Sequence, residues 1–268
     1  MTPITVHEGT AAVILAQPHS GTYVPGEIEA RLNARGRVLL DTDWHVDRLY
    51  EDLLPEASVV RANFHRYVID ANRDPSGASL YPGQNTTGLV PLVTFDEQPI
   101  WAEPPTDEEI EARRRDYHSV YHAALSREIE RVKARHGVAV LYDCHSIRSR
   151  LPFLFEDELP DLNIGTNNGE TCARAMEIAA TDICAQSDFS HVLNGRFRGG
   201  WTTRHYGKPL TGVHAIQMEI AQHCYLETEA PPFAYDEGKT DELRKTLRQI
   251  LERINALALS GELEGDGS

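Results

Sequence analysis

Val138-Ala139-Val140-Leu141-Tyr142-Asp143-Cys144-His145-Ser146 carries an apolar run straight into a polar cluster. Such a run, bounded by polar and turn-forming residues, reads as a buried strand opening into a loop. The arrangement has an earlier counterpart, where Ala11-Ala12-Val13-Ile14-Leu15-Ala16 leads to Pro18-His19-Ser20-Gly21. Residues 59–62, 67–71, 191–194 and 213–221 read as further strands. Between them, residues 107–135 predict a helix. Thr106 and Glu109 form a capping box at its start, and Ile110, Tyr117, Val120, Tyr121, Ala124, Ile129 and Val132 lay an apolar stripe along it. Residues 168–185 and 236–259 predict two more helices, and residues 44–53 a shorter one. Strands alternating with helices imply an α/β fold of three layers, α/β/α, with helices on both faces of a mixed central sheet.

The length of 268 residues suits one α/β core, so residues 1–268 are read as one domain. Residues 75–105 are rich in Pro, Gly and Thr without sustained periodicity, and are expected to run over the surface as a lid or binding loop. The tail after residue 260 is acidic and Gly-rich and is expected to fray. A composition 41% hydrophobic and 25% charged is that of a globular protein. No run approaches the roughly 18 apolar residues that span a bilayer, and Met1-Thr2-Pro3-Ile4-Thr5 lacks the regions of a signal peptide. The chain is therefore expected in the cytoplasm, without a membrane partner. Cys144, Cys172, Cys184 and Cys224 show no CxxC spacing and are expected as reduced thiols. A net charge of -15 argues against a nucleic-acid partner. A small anionic substrate would need local arginines to offset that field. Oligomeric state is not encoded legibly.

Several polar clusters fall at strand ends, and in an open α/β sheet ligands bind at that edge. His19 and His145 occupy equivalent places after two apolar strands. One such histidine reads as a polar side chain bonded to a turn; two form the core of a zinc site. A catalytic zinc takes a third protein donor and leaves one position to water. Asp41-Thr42-Asp43-Trp44-His45 offers three candidates, although Asp43 also suits a helix N-cap. Glu219 is the best-placed carboxylate for a general base. Strand alternation puts Gln217 and Glu219 on one face and Ile216, Met218 and Ile220 on the other, and the plain alternative is an exposed edge-strand glutamate. Arg73 can present a planar fork to a carboxylate with Asn72 assisting, or can pair with Asp70. Arg148, Arg204 and His205 lie in polar loops, one beside the Gly199-Gly200 pair, where they can meet a substrate or stay solvated.

Pro18-His19-Ser20-Gly21, Asp43 within Asp-Thr-Asp-Trp, Ile69-Asp70-Ala71-Asn72-Arg73, Asp143-Cys144-His145-Ser146, Asn163-Ile164-Gly165 and Gln217-Met218-Glu219 follow one another in the order of a known motif set. Over about residues 10–225 the chain resembles the N-formylglutamate amidohydrolases. That family is similar to the zinc carboxypeptidases and aspartoacylase, so the resemblance implies a zinc-carboxypeptidase-like α/β/α fold. It implies zinc held by His19, Asp43 and His145, Glu219 as general base, and Asn72 and Arg73 on a substrate carboxylate. It also implies hydrolysis of N-formylglutamate to formate and glutamate, within histidine degradation. The carboxypeptidase relatives carry an acidic ligand three residues after the first histidine, where this chain has Thr22. The acidic ligand must therefore come from elsewhere; Asp43 takes that place, with His45 as substitute. A zinc deacylase or carboxypeptidase for another N-acyl amino acid or short peptide is the neighbouring reading. A non-catalytic metal- or carboxylate-binding protein is the reading from another class.

Overall fold

The computed structural model describes residues 2–78, 87–261 and 263. Seven strands form one sheet: β1 (Ile4–His7), β2 (Val13–Gln17), β3 (Ser58–Ala62), β4 (Ala139–Ile147), β5 (Leu162–Gly165), β6 (His191–Leu193) and β7 (Val213–Ala221), in the order β1-β3-β2-β4-β7-β5-β6. The pairs β3–β2, β2–β4, β4–β7 and β5–β6 are parallel, whereas β1–β3 and β5–β7 are antiparallel, so the sheet is mixed as expected. The helices are α1 (Gly26–Glu29), α2 (Val46–Tyr50), α3 (Asp107–Arg113), α4 (Ser119–His136), α5 (Arg174–Ala185), α6 (Trp201–Tyr206) and α7 (Glu237–Ser260).

One core lies on each face. Val140, Tyr142 and Cys144 of β4 and Ile216, Met218 and Ile220 of β7 pack against α2, α5 and α7. In α7, Leu243, Leu247, Ile250, Ile254 and Leu257 recur at helical spacing and are buried, each side chain contributing roughly 1.5–3 kcal/mol before ordering entropy is deducted. On the other face, Ala139, Leu141 and Ala215 meet Tyr121, Leu125, Ile129 and Val132 of α4. This is the three-layer α/β/α arrangement.

The capping box forms as read: Glu109 N donates to Thr106 Oγ1 at 3.3 Å, and Thr106 N donates to Glu109 Oε2 at 2.7 Å. The predicted helix continues from α3 to α4 through one π turn, Arg114–His118. Three expectations need correction. Residues 67–71 form turns rather than a strand, because nearby acceptors take their N–H groups: Val68 N donates to His65 O at 2.9 Å and Tyr67 N to His65 Nδ1 at 3.0 Å. Helix α5 begins at Arg174, not 168, since Asn167, Asn168 and Gly169 all take positive φ, which Asn and Gly tolerate. Strand β4 runs on to Ile147, so His145 belongs to a strand and not to the loop after it.

Among the described residues, no helix or strand falls between β3 and α3; residues 79–86 of the expected excursion and 262 and 264–268 of the expected frayed tail lie outside them. All four cysteines are free thiols. No helix among the described residues is long and apolar enough to cross a membrane.

Candidate active site

On one face of β4 and β7 the residues change character along the strand. Ala139 and Leu141 give way to Asp143 and His145; Val213 and Ala215 give way to Gln217 and Glu219. The register pairs Asp143 with Gln217 and His145 with Glu219, so these side chains stand beside one another across strands about 4.8 Å apart. The loop after β2 brings His19 to the same edge. Asp43 N donates to His19 O at 3.1 Å, which ties the Asp43 loop to it.

His19, Asp43 and His145 converge, with their ligand atoms all within 4.8 Å of one another and all three residues buried. His145 Nδ1 is 3.1 Å and His19 Nδ1 3.7 Å from Asp43 Oδ2. The opposite ring nitrogens face carboxylates: His19 Nε2 meets Asp70 Oδ1 at 2.7 Å, and His145 Nε2 stands 3.1 Å from Asp143 Oδ1. Ligand histidines are commonly oriented this way. Asp43 Oδ1 is buried with no hydrogen-bond partner, and Arg66 Nη1 stands 3.5 Å from it. Two imidazoles turned inward by carboxylates, together with an orphaned carboxylate oxygen, suit a zinc ion. Asp43 is not a helix cap, because the residue at the α2 N-cap is His45. His45 itself turns to Phe233 O at 2.8 Å and stands outside the trio.

Charge within the site is balanced by position. Burial alone would raise the Asp70 carboxyl, but Arg66, His19 and Arg73 together hold it well below its ordinary value. Arg66 Nη2 donates to Asp70 Oδ2 at 2.7 Å, so Asp70 pairs with Arg66 and His19 rather than with Arg73. Desolvation opposes charge on His145, yet Asp143, Asp43 and Glu219 hold its ring well above the usual histidine range in the metal-free chain. Burial pushes the Glu219 carboxyl up to about 8, against the attraction of His145. Glu219 is 7% exposed on a strand flanked by β4 and β5, not on an edge. Gln217 Nε2 donates to Glu219 Oε2 at 3.1 Å and fixes the carboxyl's orientation.

His19, Asp43, Asn72, Arg73, His145 and Glu219 all line one cavity of about 80 Å³. Asn72 Nδ2 lies 3.0 Å from His145 Nε2, and Asn72 Oδ1 accepts from Thr202 N at 2.9 Å. Gly200 is required there, since a Cβ would come within 2.3 Å of the Asn72 side chain. Arg73 is anchored by Thr87 O at 3.0 Å and Thr87 Oγ1 at 3.1 Å. Arg148, Arg204 and His205 are not brought to this cavity. Arg148 donates to Asp96 at 2.7 Å and to Asp41 at 3.4 Å, Arg204 Nε donates to Gly199 O at 2.8 Å, and His205 stacks on Trp201 at 4.2 Å. Arg66 and Arg196 line it instead. Arg196 lies in a loop of ordinary polar composition that gave no sequence signal.

Asp143 stands 3.1 Å from His145 Nε2 and does not line the cavity, a place from which it would position the ring if His145 holds a metal. Asp143→Asn keeps the shape and the Thr203 Oγ1 contact at 2.9 Å while removing the charge behind the ring. Its metal affinity is expected to fall about 10–100-fold, with activity recovered at high metal concentration. An unchanged dissociation constant would detach Asp143 from the metal site.

A sequence model of the N-formylglutamate amidohydrolases matches residues 11–226. N-formylglutamate deformylase of Pseudomonas aeruginosa is 41% identical over 258 residues, covering 94% of this chain and 96% of the relative. That of Pseudomonas putida is 40% identical over 259 residues, with the same coverage of 94% and 96%. The crystal structure of N-formylglutamate amidohydrolase from Ralstonia eutropha JMP134 aligns with a TM-score of 0.81 at 26% identity, over 96% of this chain and 98% of that one.

Proposed function

Because the chain belongs to the N-formylglutamate amidohydrolase family, we propose that it hydrolyses N-formyl-L-glutamate to formate and L-glutamate, with zinc held by His19, Asp43 and His145. The observation that carries the reading is the convergence of that buried trio, Glu219 and three arginines on one cavity. We assign the reaction to histidine degradation in the cytoplasm, as the family resemblance suggests.

Zinc bound by the trio would supply Lewis acidity to the formyl oxygen and bring the pKa of an attacking water towards about 7. Glu219 takes the proton of that water and returns it to the amide nitrogen as the C–N bond breaks. Gln217 keeps the Glu219 carboxyl aimed during both transfers, and burial keeps bulk water from competing for its proton. Arg73 holds one substrate carboxylate, with its fork set by Thr87 and with Asn72 beside it. Arg66 pairs with Asp70 and Asp43, and we assign the side-chain carboxylate to Arg196, which lines the same cavity and donates through Nε to Leu154 O at 2.9 Å.

A metal-replete assay over N-formyl, N-acetyl and N-succinyl amino acids and short peptides tests the reaction class, formate release from N-formylglutamate being the expected outcome. Tight zinc binding without turnover of any of them would sink the proposal. Arg196→Ala should lower kcat/KM for N-formylglutamate about 10- to 100-fold, the scale of one charged hydrogen bond. The same change should hardly affect N-formylglutamine, which lacks the side-chain charge. Equal losses on both substrates would show that Arg196 supports the fold rather than reading that carboxylate.

A further inference from the structure

Among the described residues a second group of metal-ligating side chains converges away from the cavity. Asp161, His223 and Cys224 bring a carboxylate oxygen, an imidazole nitrogen and a sulfur within 4.8 Å of one another. The antiparallel pairing of β5 with β7 is the cause. Leu162 stands opposite Ile220, and Ala221 N donates to Asp161 O at 2.9 Å, so the residue before β5 adjoins the 3-10 turn Gln222–Cys224 that follows β7.

The donors are oriented from outside the group. Ser190 N and Ser190 Oγ both donate to Asp161 Oδ2 at 2.8 Å, which turns Oδ1 towards His223 Nε2 at 2.8 Å and Cys224 Sγ at 3.3 Å. The turn is fixed in its place: His223 N donates to Glu229 Oε1 at 2.9 Å, and Gln222 Nε2 donates to Thr42 O at 2.9 Å. The Cys224 thiol is buried at the floor, whereas the His223 side chain is 39% exposed, so the group opens to solvent on one side. The proposed hydrolysis uses none of these three residues.

We propose that Asp161, His223 and Cys224 form a second metal site, for a thiophilic divalent cation such as zinc. Thiolate and imidazole select such a cation over magnesium or calcium, which take oxygen ligands. Three protein donors leave a remaining position to water on the open side. On binding, the Cys224 S–H bond breaks, the sulfur lone pair goes to the cation and one proton leaves to solvent. Because binding releases the Cys224 proton, it tightens as pH rises. The cation clips the start of β5 to the end of β7. Glu219 lies within the clipped pair, where Asn163 Nδ2 donates to Glu219 O at 3.1 Å.

Cobalt(II) tests the site directly, because the His19, Asp43 and His145 trio contains no sulfur. Titration of metal-stripped protein should produce a near-ultraviolet thiolate-to-cobalt charge-transfer band. Cys224→Ser and His223→Ala should each lose that band and bind one cobalt fewer per chain than wild type. His223→Ala removes a half-exposed side chain, so its result does not depend on whether Cys224→Ser folds. No band in wild type, or a band and cobalt content unchanged in both variants, would overturn the site. The band is indifferent to turnover, so that failure would leave the deformylase reading standing, and loss of turnover would leave this one standing.

Discussion

Glu219→Gln is expected to lower kcat by about 10²- to 10⁴-fold, the scale of losing a positioned general base, while metal content and KM stay near wild type. The substitution keeps the volume and the planar end group. The new side-chain amide can still offer its carbonyl oxygen to Gln217 Nε2, which in the native chain meets Glu219 Oε2 at 3.1 Å. The fold should not suffer, because the carboxyl is buried and its neutral form is already favoured in the metal-free chain, with the pKa pushed up to about 8. What disappears is the ability to take a proton and give it back. Isotope-dilution metal analysis and steady-state kinetics on the same preparation separate the possibilities. Near-normal kcat would remove Glu219 from the proton transfers, and lost metal would make it a ligand instead of a base.

The residues most easily found in the sequence were those whose surroundings are periodic. Along β4 and β7 one face stays apolar throughout, as Val140, Tyr142 and Cys144 beside Ile216, Met218 and Ile220, and the other turns polar towards the C-terminal edge. A period of two therefore exposes Glu219 as out of place on a buried strand. The reading erred where local bonding overrode composition. Tyr67-Val68-Ile69 has the β-branched and aromatic content of a strand, but His65 captures the N–H groups of Tyr67 and Val68 and the chain turns. Strands β1 and β5, at four residues each, are too short to show a pattern. Arg196 escaped notice because its place depends on where a loop is carried by the sheet, not on any spacing along the chain. Arg148 shows the converse: its sequence neighbourhood is polar, but Asp41 and Asp96 hold its guanidinium away from the cavity lining.

The choice between Asp43 and His45 could not be made from the chain, since both lie in one five-residue stretch, and the structure supplies a sharp test of it. Asp43 receives Ser146 N at 3.1 Å and His145 Nδ1 at 3.1 Å through Oδ2, and its Oδ1 is buried, accepts no hydrogen bond and has the Arg66 guanidinium near it at 3.5 Å. Burial would raise this carboxyl, but His145 and His19 outweigh it and hold it below its ordinary value, so it stays ionised, as the proposed ligand role requires. His45 sits at positive φ with its ring spent on Phe233 O. Asp43→Ala would leave Ser146 N without its acceptor, at a cost of about 1–3 kcal/mol, so Asp43→Asn is the cleaner variant. Asp43→Asn, His19→Ala and His145→Ala should each lose metal by more than the roughly 10–100-fold typical of an outer-shell change, and activity with it. His45→Ala should keep both. Metal affinity measured by chelator competition decides the matter, because a site with three protein donors cannot lose one silently. Full metal retention in Asp43→Asn, with loss in His45→Ala, would replace the carboxylate by the neighbouring imidazole as third ligand.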